Sequence, residues 1–245
     1  MGLSSNSLIH LTKTSEAIVG ILQDNFRIKY CIEHINTPKG SFNAAFPMVS
    51  FCDIPLSEIK NHIKKYGSYG IGLKKEWAKR NGLNPVIYFD NSSTLSGQFR
   101  ESFEMLLKDK KRSELNDNEI AIFDLARYMK NYQEKLNRNG VVEENYRFSD
   151  EREWRYVPNY KEVAAFLPIE AYDTIEKKEK ANKPLDKLRL YFEPNDISYI
   201  IIENENEISE FIDILRKSKA KKYSMDDVER LMTRMITTEQ IISDF

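Results

Sequence analysis

The segment SDEREWRYVP, in the second half of the chain, carries two carboxylates and an arginine at alternate positions. Because alternate residues of a β-strand face the same side, this spacing predicts Glu151, Glu153 and Arg155 on one strand face. Three charges on one strand face suit an active-site cleft, where a carboxylate can stabilise developing positive charge or act as a general base. Arg155 would keep Glu153 ionised, since a nearby opposite charge favours the charged form. The alternative is a charged surface strand that Trp154 anchors in the core.

A histidine stands in a predicted strand near the N-terminus, SLIHLTK, directly before a predicted helix, TSEAIVGILQDNF. Strand alternation places Leu8, His10 and Thr12 on one face. Thr14 or Ser15 can cap the helix, because a hydroxyl at this position accepts a hydrogen bond from a free backbone amide. A lone histidine in an apolar strand is usually a core or surface residue whose hydrogen bonds are satisfied, and this is the alternative for His10.

HLT followed by an amphipathic helix resembles the first motif of ADP-ribosyltransferases of the diphtheria-toxin and poly-ADP-ribosyl types. The resemblance implies an NAD site in which His10 binds a ribose and the backbone of Leu11, next to Thr12, holds the nicotinamide amide. Leu11 stands where those enzymes commonly have glycine. Related transferases carry Glu-x-Glu on a late strand, with the second glutamate catalytic, and this pattern matches Glu151 and Glu153. The resemblance implies that Glu153 stabilises an oxocarbenium-like transition state and that Glu151 orients or deprotonates the acceptor.

Further residues would complete such a site. Tyr66 and Tyr69 would offer aromatic faces to nicotinamide, Gly67 and Gly70 would let a ligand approach the backbone, and Ser50 would supply a hydroxyl. The alternatives are a helix C-cap at Gly67 and a core position for the tyrosine. The predicted cofactor-binding set is therefore His10, Leu11, Thr12, Ser50, Tyr66, Tyr69 and Arg155.

A second resemblance extends through most of the chain. The motifs PMVSFCDIP, YGSYGIGLKKEWA, LNPVIY, EREWRYVP and MITTEQIISDF occur in the order found in the AbiGi family of bacterial abortive-infection proteins. The family is commonly described as an antitoxin. The resemblance implies a role in phage defence and a cognate toxin or antitoxin protein as partner.

Composition narrows the class of protein. The 245 residues suffice for one large domain or two small ones, and 41% hydrophobic with 31% charged residues is typical of a globular protein. The net charge of −1 argues against extensive electrostatic coating of nucleic acid. Two cysteines fit a reduced cytoplasmic setting, and the three histidines lack metal-ligand spacing. No apolar run approaches the roughly 18 residues that span a bilayer, so we expect neither a membrane segment nor a metal.

Mixed helical and strand patterns predict an α+β fold with an ADP-ribosyltransferase-like split β-sheet core. We expect the transferase-like domain at 1–215, with a helical insertion at about 96–138, and C-terminal helices at 216–245. Residues 36–46 and 139–148 read as loops, and 161–168 as a short strand.

Three functional hypotheses follow. The first is an NAD-dependent mono-ADP-ribosyltransferase, a phage-defence effector that modifies nucleic acid or protein. The second is a non-enzymatic antitoxin that binds a toxin, with the helices in 207–245 as the expected contact. The third, a 2′-phosphotransferase of the same fold, lacks the second histidine and paired arginines expected of it.

Overall fold

A computed structural model of the chain describes residues 4–109, 114–138, 141–158, 163–219 and 223–244. The chain forms two compact units: unit 1 comprises 1–28, 49–84 and 187–245, and unit 2 comprises 29–48 and 85–186. The strands among the described residues are β1 (Ser7–Thr12), β2 (Phe26–Arg27), β3 (Lys29–Thr37), β4 (Gly40–Cys52), β5 (Tyr69–Lys74), β6 (Asn84–Pro85), β7 (Ile87–Phe89), β8 (Met129–Asn131), β9 (Gln133–Arg138), β10 (Val141–Arg147), β11 (Glu153–Tyr156), β12 (Leu167–Pro168), β13 (Arg189–Leu190), β14 (Ile197–Ile202) and β15 (Met235–Thr237). The helices are α1 (Ser15–Asp24), α2 (Lys60–Tyr66), α3 (Lys75–Arg80), α4 (Thr94–Asp109), α5 (Asp117–Ala126), α6 (Ile175–Asn182), α7 (Ile208–Lys219), α8 (Met225–Met232) and α9 (Thr238–Asp244).

Unit 1 is built on a sheet in which β15, β14, β5 and β1 are successive neighbours, and β1 also pairs with the end of β4 at Cys52. β5 is antiparallel to both β1 and β14, whereas β14 and β15 are parallel. One apolar cluster of this unit joins strand residues to helices α2 and α9. Its buried members are Ile9, Ile59, Ile63, Ile201 and Ile241.

The helix predicted after β1 is present and begins where expected. Thr14 is its N-cap, and the side chain of Thr14 accepts a hydrogen bond from the amide of Ala17 at 3.3 Å. Ile18 and Leu22 are buried, as their spacing predicts. The helix positions the C-terminal end of β1 and therefore the HLT motif.

Unit 2 contains a long hairpin of β3 and β4 where residues 36–46 were predicted to form a loop, so that prediction is wrong. The strands pair over the whole of β3, and Thr37 lies opposite Gly40 across a turn made by Pro38 and Lys39. Gly40 has φ 112°, which a residue with a side chain adopts only at a cost. The turn TPKG was therefore the signal for a hairpin.

The predicted helical insertion is correct only in its first part. α4 and α5 bury Phe103 and Phe123 against Ala44 and Phe46 of β4. Helix α5 ends at Ala126, and the chain continues as β8 and β9, which are strands rather than helix. The loop predicted at 139–148 is largely β10, with residues 139–140 outside the described part.

Two other predicted elements change. Within 161–168, residues 161–162 lie outside the described part, and the strand there is only β12. The segment 216–245, expected to be helical, also contains β15, and it belongs to unit 1 rather than to a compact unit of its own. Across the described ranges, no helix has both the length and the apolar character needed to cross a bilayer.

Candidate functional site

The opening motif does not form one continuous strand face. β11 begins at Glu153, and Glu151 ends a short 3₁₀ turn that precedes it. Arg152, between them, has the left-handed conformation with φ 45° and ψ 50°, which rotates the chain and breaks strand alternation. The prediction that Glu151 shares the strand face of Glu153 is therefore wrong, whereas Glu153 and Arg155 do lie on one face.

Burial along β11 is the reverse of what the residue types indicate. Glu153 and Arg155 are buried, with Arg155 fully inaccessible, while Trp154 and Tyr156 are only half-buried. Neither a solvated edge nor an aromatic anchor describes this strand. A charged residue is buried at tolerable cost only when other charges and hydrogen bonds compensate it, so the partners decide its role.

Arg155 is held on several sides by unit 2. Its Nε donates to Oε1 of Glu153 at 2.6 Å, and its Nη2 donates to Oε2 of the same carboxylate at 3.1 Å. Nη2 also donates to Oε1 of Glu33 on β3 at 2.8 Å, and Nη1 donates to the carbonyl of Arg127 at 3.0 Å. This two-point contact with Glu153 fixes the orientation of both side chains.

A second cation, the partly buried Lys130 of β8, joins the two motif glutamates. Its Nζ lies 2.9 Å from Oε2 of Glu153 and 3.2 Å from Oε2 of Glu151, and 4.7 Å from the ring centroid of Phe148. Oε1 of Glu151 accepts a hydrogen bond from the hydroxyl of Tyr146 at 2.9 Å. Lys130 thus links Glu151 to Glu153, a connection that the strand itself does not provide.

We call the five charged side chains the ionic cluster; they are Glu33, Lys130, Glu151, Glu153 and Arg155. Burial alone would lower the pKa of Lys130, but the carboxylates around it, Glu153 foremost, outweigh that effect and raise it. The same opposition raises the pKa of Arg155, since burial is outweighed by Glu153 and Glu33. Both cations therefore remain charged, and three carboxylates face two positive charges.

Sequence reasoning missed three contributors to this cluster. The sequence pattern placed Lys130 in a helix and gave Glu33 no role. Tyr88, predicted only as a strand residue, accepts a hydrogen bond through its hydroxyl from the backbone amide of Glu153 at 2.9 Å. The available signal was β-strand alternation in β3, which places Glu33 on the same face as the buried Ile35.

His10, in unit 1, is fixed by backbone and aromatic contacts. Its Nδ1 lies 2.8 Å from the carbonyl oxygen of Ser50, which accepts the ring proton. The ring packs against Phe26 and Phe51, at centroid distances of 5.2 and 5.6 Å. Burial lowers the pKa of His10, and the bond to Ser50 opposes that shift only in part. His10 and Ser50 are therefore adjacent, as an NAD site would need, but through the backbone of Ser50 and not its hydroxyl.

The two predicted stacking tyrosines have different surroundings. Tyr69 is buried, its ring stacks on Phe211, and its hydroxyl contacts Glu207 at 2.6 Å and Glu203 at 3.2 Å. A nicotinamide ring would have to displace Phe211 to reach that face. Tyr66 is half-buried and stacks on His62, at 6.0 Å between ring centroids.

The glycines and the rest of the HLT motif serve chain contacts. A Cβ on Gly67 would lie 2.0 Å from the carbonyl oxygen of Thr12, and one on Gly70 would lie 2.8 Å from that of His10. The backbone of β1 therefore lies close against both glycines. Leu11 packs on the apolar cluster of unit 1.

The predicted site residues fall into both units. Unit 1 contains His10, Leu11, Thr12, Ser50, Tyr66 and Tyr69, whereas Glu151, Glu153 and Arg155 belong to unit 2. Within the units, the structure joins His10 to Ser50 and joins the three residues of the opening motif through direct bonds and Lys130.

Comparison with known proteins gives the class of this chain. A family model described as "abortive phage resistance protein AbiGi, antitoxin" matches residues 24–203. The chain is 27% identical to the abortive phage resistance protein AbiGi of Lactococcus lactis subsp. cremoris, over 81% of this chain and 88% of that protein. No solved structure matches it. The chain therefore belongs to the AbiGi family of abortive phage resistance proteins, which confirms that part of the sequence-based prediction.

Proposed function

We propose that this chain is the antitoxin component of an abortive-infection system and acts by binding a cognate toxin protein. The observation that carries the proposal is the match of residues 24–203 to a family described as an antitoxin. The geometry of the motif once assigned to catalysis is consistent with it. Both oxygens of Glu153 accept hydrogen bonds from cations, one from the buried Arg155 and one from the partly buried Lys130.

The surroundings of Glu153 support a structural role for the motif. A transferase carboxylate must reach the ribose of its substrate, within about 3.2 Å of the group it acts on. The side chain of Glu153 is 7% exposed and is bonded to Arg155 and Lys130, so substrate contact would require breaking buried ion pairs. These contacts favour the antitoxin over the effector.

The C-terminal helices, expected to contact the toxin, have most of their apolar side chains covered, but Met225 of α8 and Ile242 of α9 are half exposed. Phe211 and Leu215 of α7, Val228 and Leu231 of α8 and Ile241 of α9 are all buried within unit 1. A toxin bound at these helices would therefore contact mainly polar side chains, together with Met225 and Ile242.

Growth assays test the proposal directly. The chain is expressed alone, together with the product of the adjacent gene, and beside an empty vector. We expect expression of the chain alone to leave growth unchanged and co-expression to restore growth that the adjacent product arrests. Arrest by the chain alone would overturn the antitoxin assignment.

The second candidate function is the NAD-dependent transferase, and the fixed imidazole of His10 beside Ser50 is the observation that favours it. Purified wild type and Glu153→Gln are incubated with labelled NAD and cell lysate, and the products are separated into protein and nucleic-acid fractions. We expect no label in either fraction. Label transferred by the wild type and lost in the variant would establish the transferase and identify its acceptor class.

A further inference from the structure

A two-stranded hairpin of unit 2, β9 with β10, stands out from the rest of that unit; we call its described residues, 133–138 and 141–147, the arm. Its strands pair with each other and with no third strand among the described residues. Five successive residues of β10, from Val141 to Asn145, are exposed. A strand packed on one face would alternate between buried and exposed positions, so both faces of this stretch are open to solvent.

The exposed stretch carries apolar surface that unit 2 does not cover. Val141 is 66% exposed and Val142 is 44% exposed, and as neighbours in a strand they face opposite sides. An isolated two-stranded hairpin is marginally stable in water, and an added strand along its edge would bury both valines. Backbone groups along a strand edge are a template for that kind of addition, as in peptide recognition by β-augmentation. β10 pairs regularly with β9 from Val141 to Glu143, before a bulge interrupts the pairing between Glu143 and Tyr146.

The base of the arm, in contrast, is firmly fixed. Tyr146, the one buried residue of β10, donates its hydroxyl hydrogen to Glu151 of the ionic cluster. On β9, Glu134 accepts a hydrogen bond from Asn91 at 2.7 Å. Phe148, directly after β10, lies under the ammonium group of Lys130. A buried charge network thus anchors an exposed hairpin, which is the arrangement expected of a binding element on a rigid support.

Charge distinguishes between possible occupants of the β10 edge. Glu143 and Glu144 follow the valines. Glu144 forms an ion pair with Lys135 at 2.9 Å, and both side chains of this pair are more than half exposed. Such an exposed pair contributes little to stability, so Glu144 can readily exchange Lys135 for a basic residue of a partner. A second copy of this chain, pairing through the same stretch about a two-fold axis, would set glutamates opposite glutamates, which is destabilising. A strand carrying lysine or arginine would complement them.

We propose that the toxin binds at strand β10 of the arm. An extended segment of the toxin, carrying basic side chains, pairs with this strand. This inference rests on the proposed antitoxin function and specifies its contact surface. Apolar residues of the toxin segment cover Val141 and Val142, and its basic residues lie opposite Glu143 and Glu144. The ionic cluster holds the arm in the orientation that the toxin recognises.

Two arm variants and one control test the proposal with the purified product of the adjacent gene, by titration calorimetry. The double variant Glu143→Lys/Glu144→Lys reverses the charge, and Val141→Thr/Val142→Thr removes apolar surface while keeping the β-branched shape. The control, Glu176→Lys/Glu179→Lys, makes the same charge change on the exposed face of α6 in the same unit. Thermal unfolding of all variants confirms that each is folded.

We expect both arm variants to bind at least about tenfold more weakly than the wild type, and the control to bind within about twofold of it. Arm variants that bind like the wild type would overturn the role of the arm and leave the antitoxin function standing. An equal loss in the control variant would also overturn it, since nonspecific charge attraction would then explain binding. Absence of a complex with the wild type itself would overturn the proposed function instead.

Discussion

At the scale of single residues, the main feature of this protein is the ionic cluster in unit 2. Strand spacing correctly predicted that Glu153 and Arg155 share a face, since that depends only on local geometry. The other partners come from distant positions: Glu33 is 122 residues from Arg155, and Lys130 is 23 residues from Glu153. No local pattern encodes such pairings, so the motif read as a catalytic face rather than as part of a buried network.

Removing one member of this network should be costly. Arg155→Met leaves the buried carboxylate of Glu153 and the partly buried carboxylate of Glu33 without the arginine that bonds both, so we expect a loss of about 3–5 kcal/mol in the free energy of unfolding. Urea denaturation followed by circular dichroism measures it. Lys135→Met is the control, because its ion pair with Glu144 is exposed and should contribute less than about 1 kcal/mol. Equal midpoints for the two variants would show that the cluster does not stabilise the fold.

His10 gives a prediction for pH. Burial holds the pKa of His10 below 6.5, the ordinary value for histidine. As the pH falls below 6.5, the imidazole therefore takes up a proton in the unfolded state while it stays neutral in the folded state. The stabilising contribution is therefore complete above pH 6.5 and is lost as the pH falls towards the folded pKa, by up to about 1.4 kcal/mol per pH unit.

The comparison uses urea unfolding of the wild type and His10→Gln at pH 7.5 and pH 5.5. We expect the variant to lose less stability between the two pH values than the wild type does, because the other titrating groups are common to both. An identical loss in both proteins would mean that His10 titrates alike in the folded and unfolded states.

At the scale of elements, the helix with a clear cap and apolar periodicity was predicted correctly, and the errors arose where the chain turns. Helix α1 was recognised from its cap and its apolar spacing, both of which are local. The loop prediction for residues 36–46 is wrong because the turn at Pro38–Gly40 joins two paired strands, β3 and β4. Leu125 and Met129 fitted one helical stripe, but α5 ends between them, so Leu125 is exposed and Met129 belongs to a buried strand.

The junction between α2 and β5 can be tested at Gly67. Gly67→Ala places a Cβ against the carbonyl of Thr12 at a residue whose φ is 123°, so we expect destabilisation by more than about 1 kcal/mol. Gly20→Ala in α1 is the matched control, since a Cβ there meets nothing within 4 Å and should stabilise the helix by about 0.5–1 kcal/mol. Thermal denaturation measures both. A Gly67→Ala protein that melts at or above the wild-type temperature would contradict the close approach of β1.

At the scale of the whole molecule, the family was recognisable from sequence because its motifs are short, local and in order. The division of the chain into two units was not recognisable from sequence, because each unit is assembled from segments that are separated in sequence. Residues 204–245 lie beyond the matched family region, yet they contribute β15 and the buried Ile241 to unit 1. Local periodicity shows helices there but not the strand that pairs with β14.

The ionic cluster also constrains how relatives of this chain can diverge. Its three carboxylates and two cations share contacts, so replacing one member changes the charge balance felt by the others. An apolar replacement of the whole set can be as stable as the charged one, whereas a single replacement is not. Positions 33, 130, 151, 153 and 155 should therefore vary together across the family, as a correlated group that switches between charged and apolar sets.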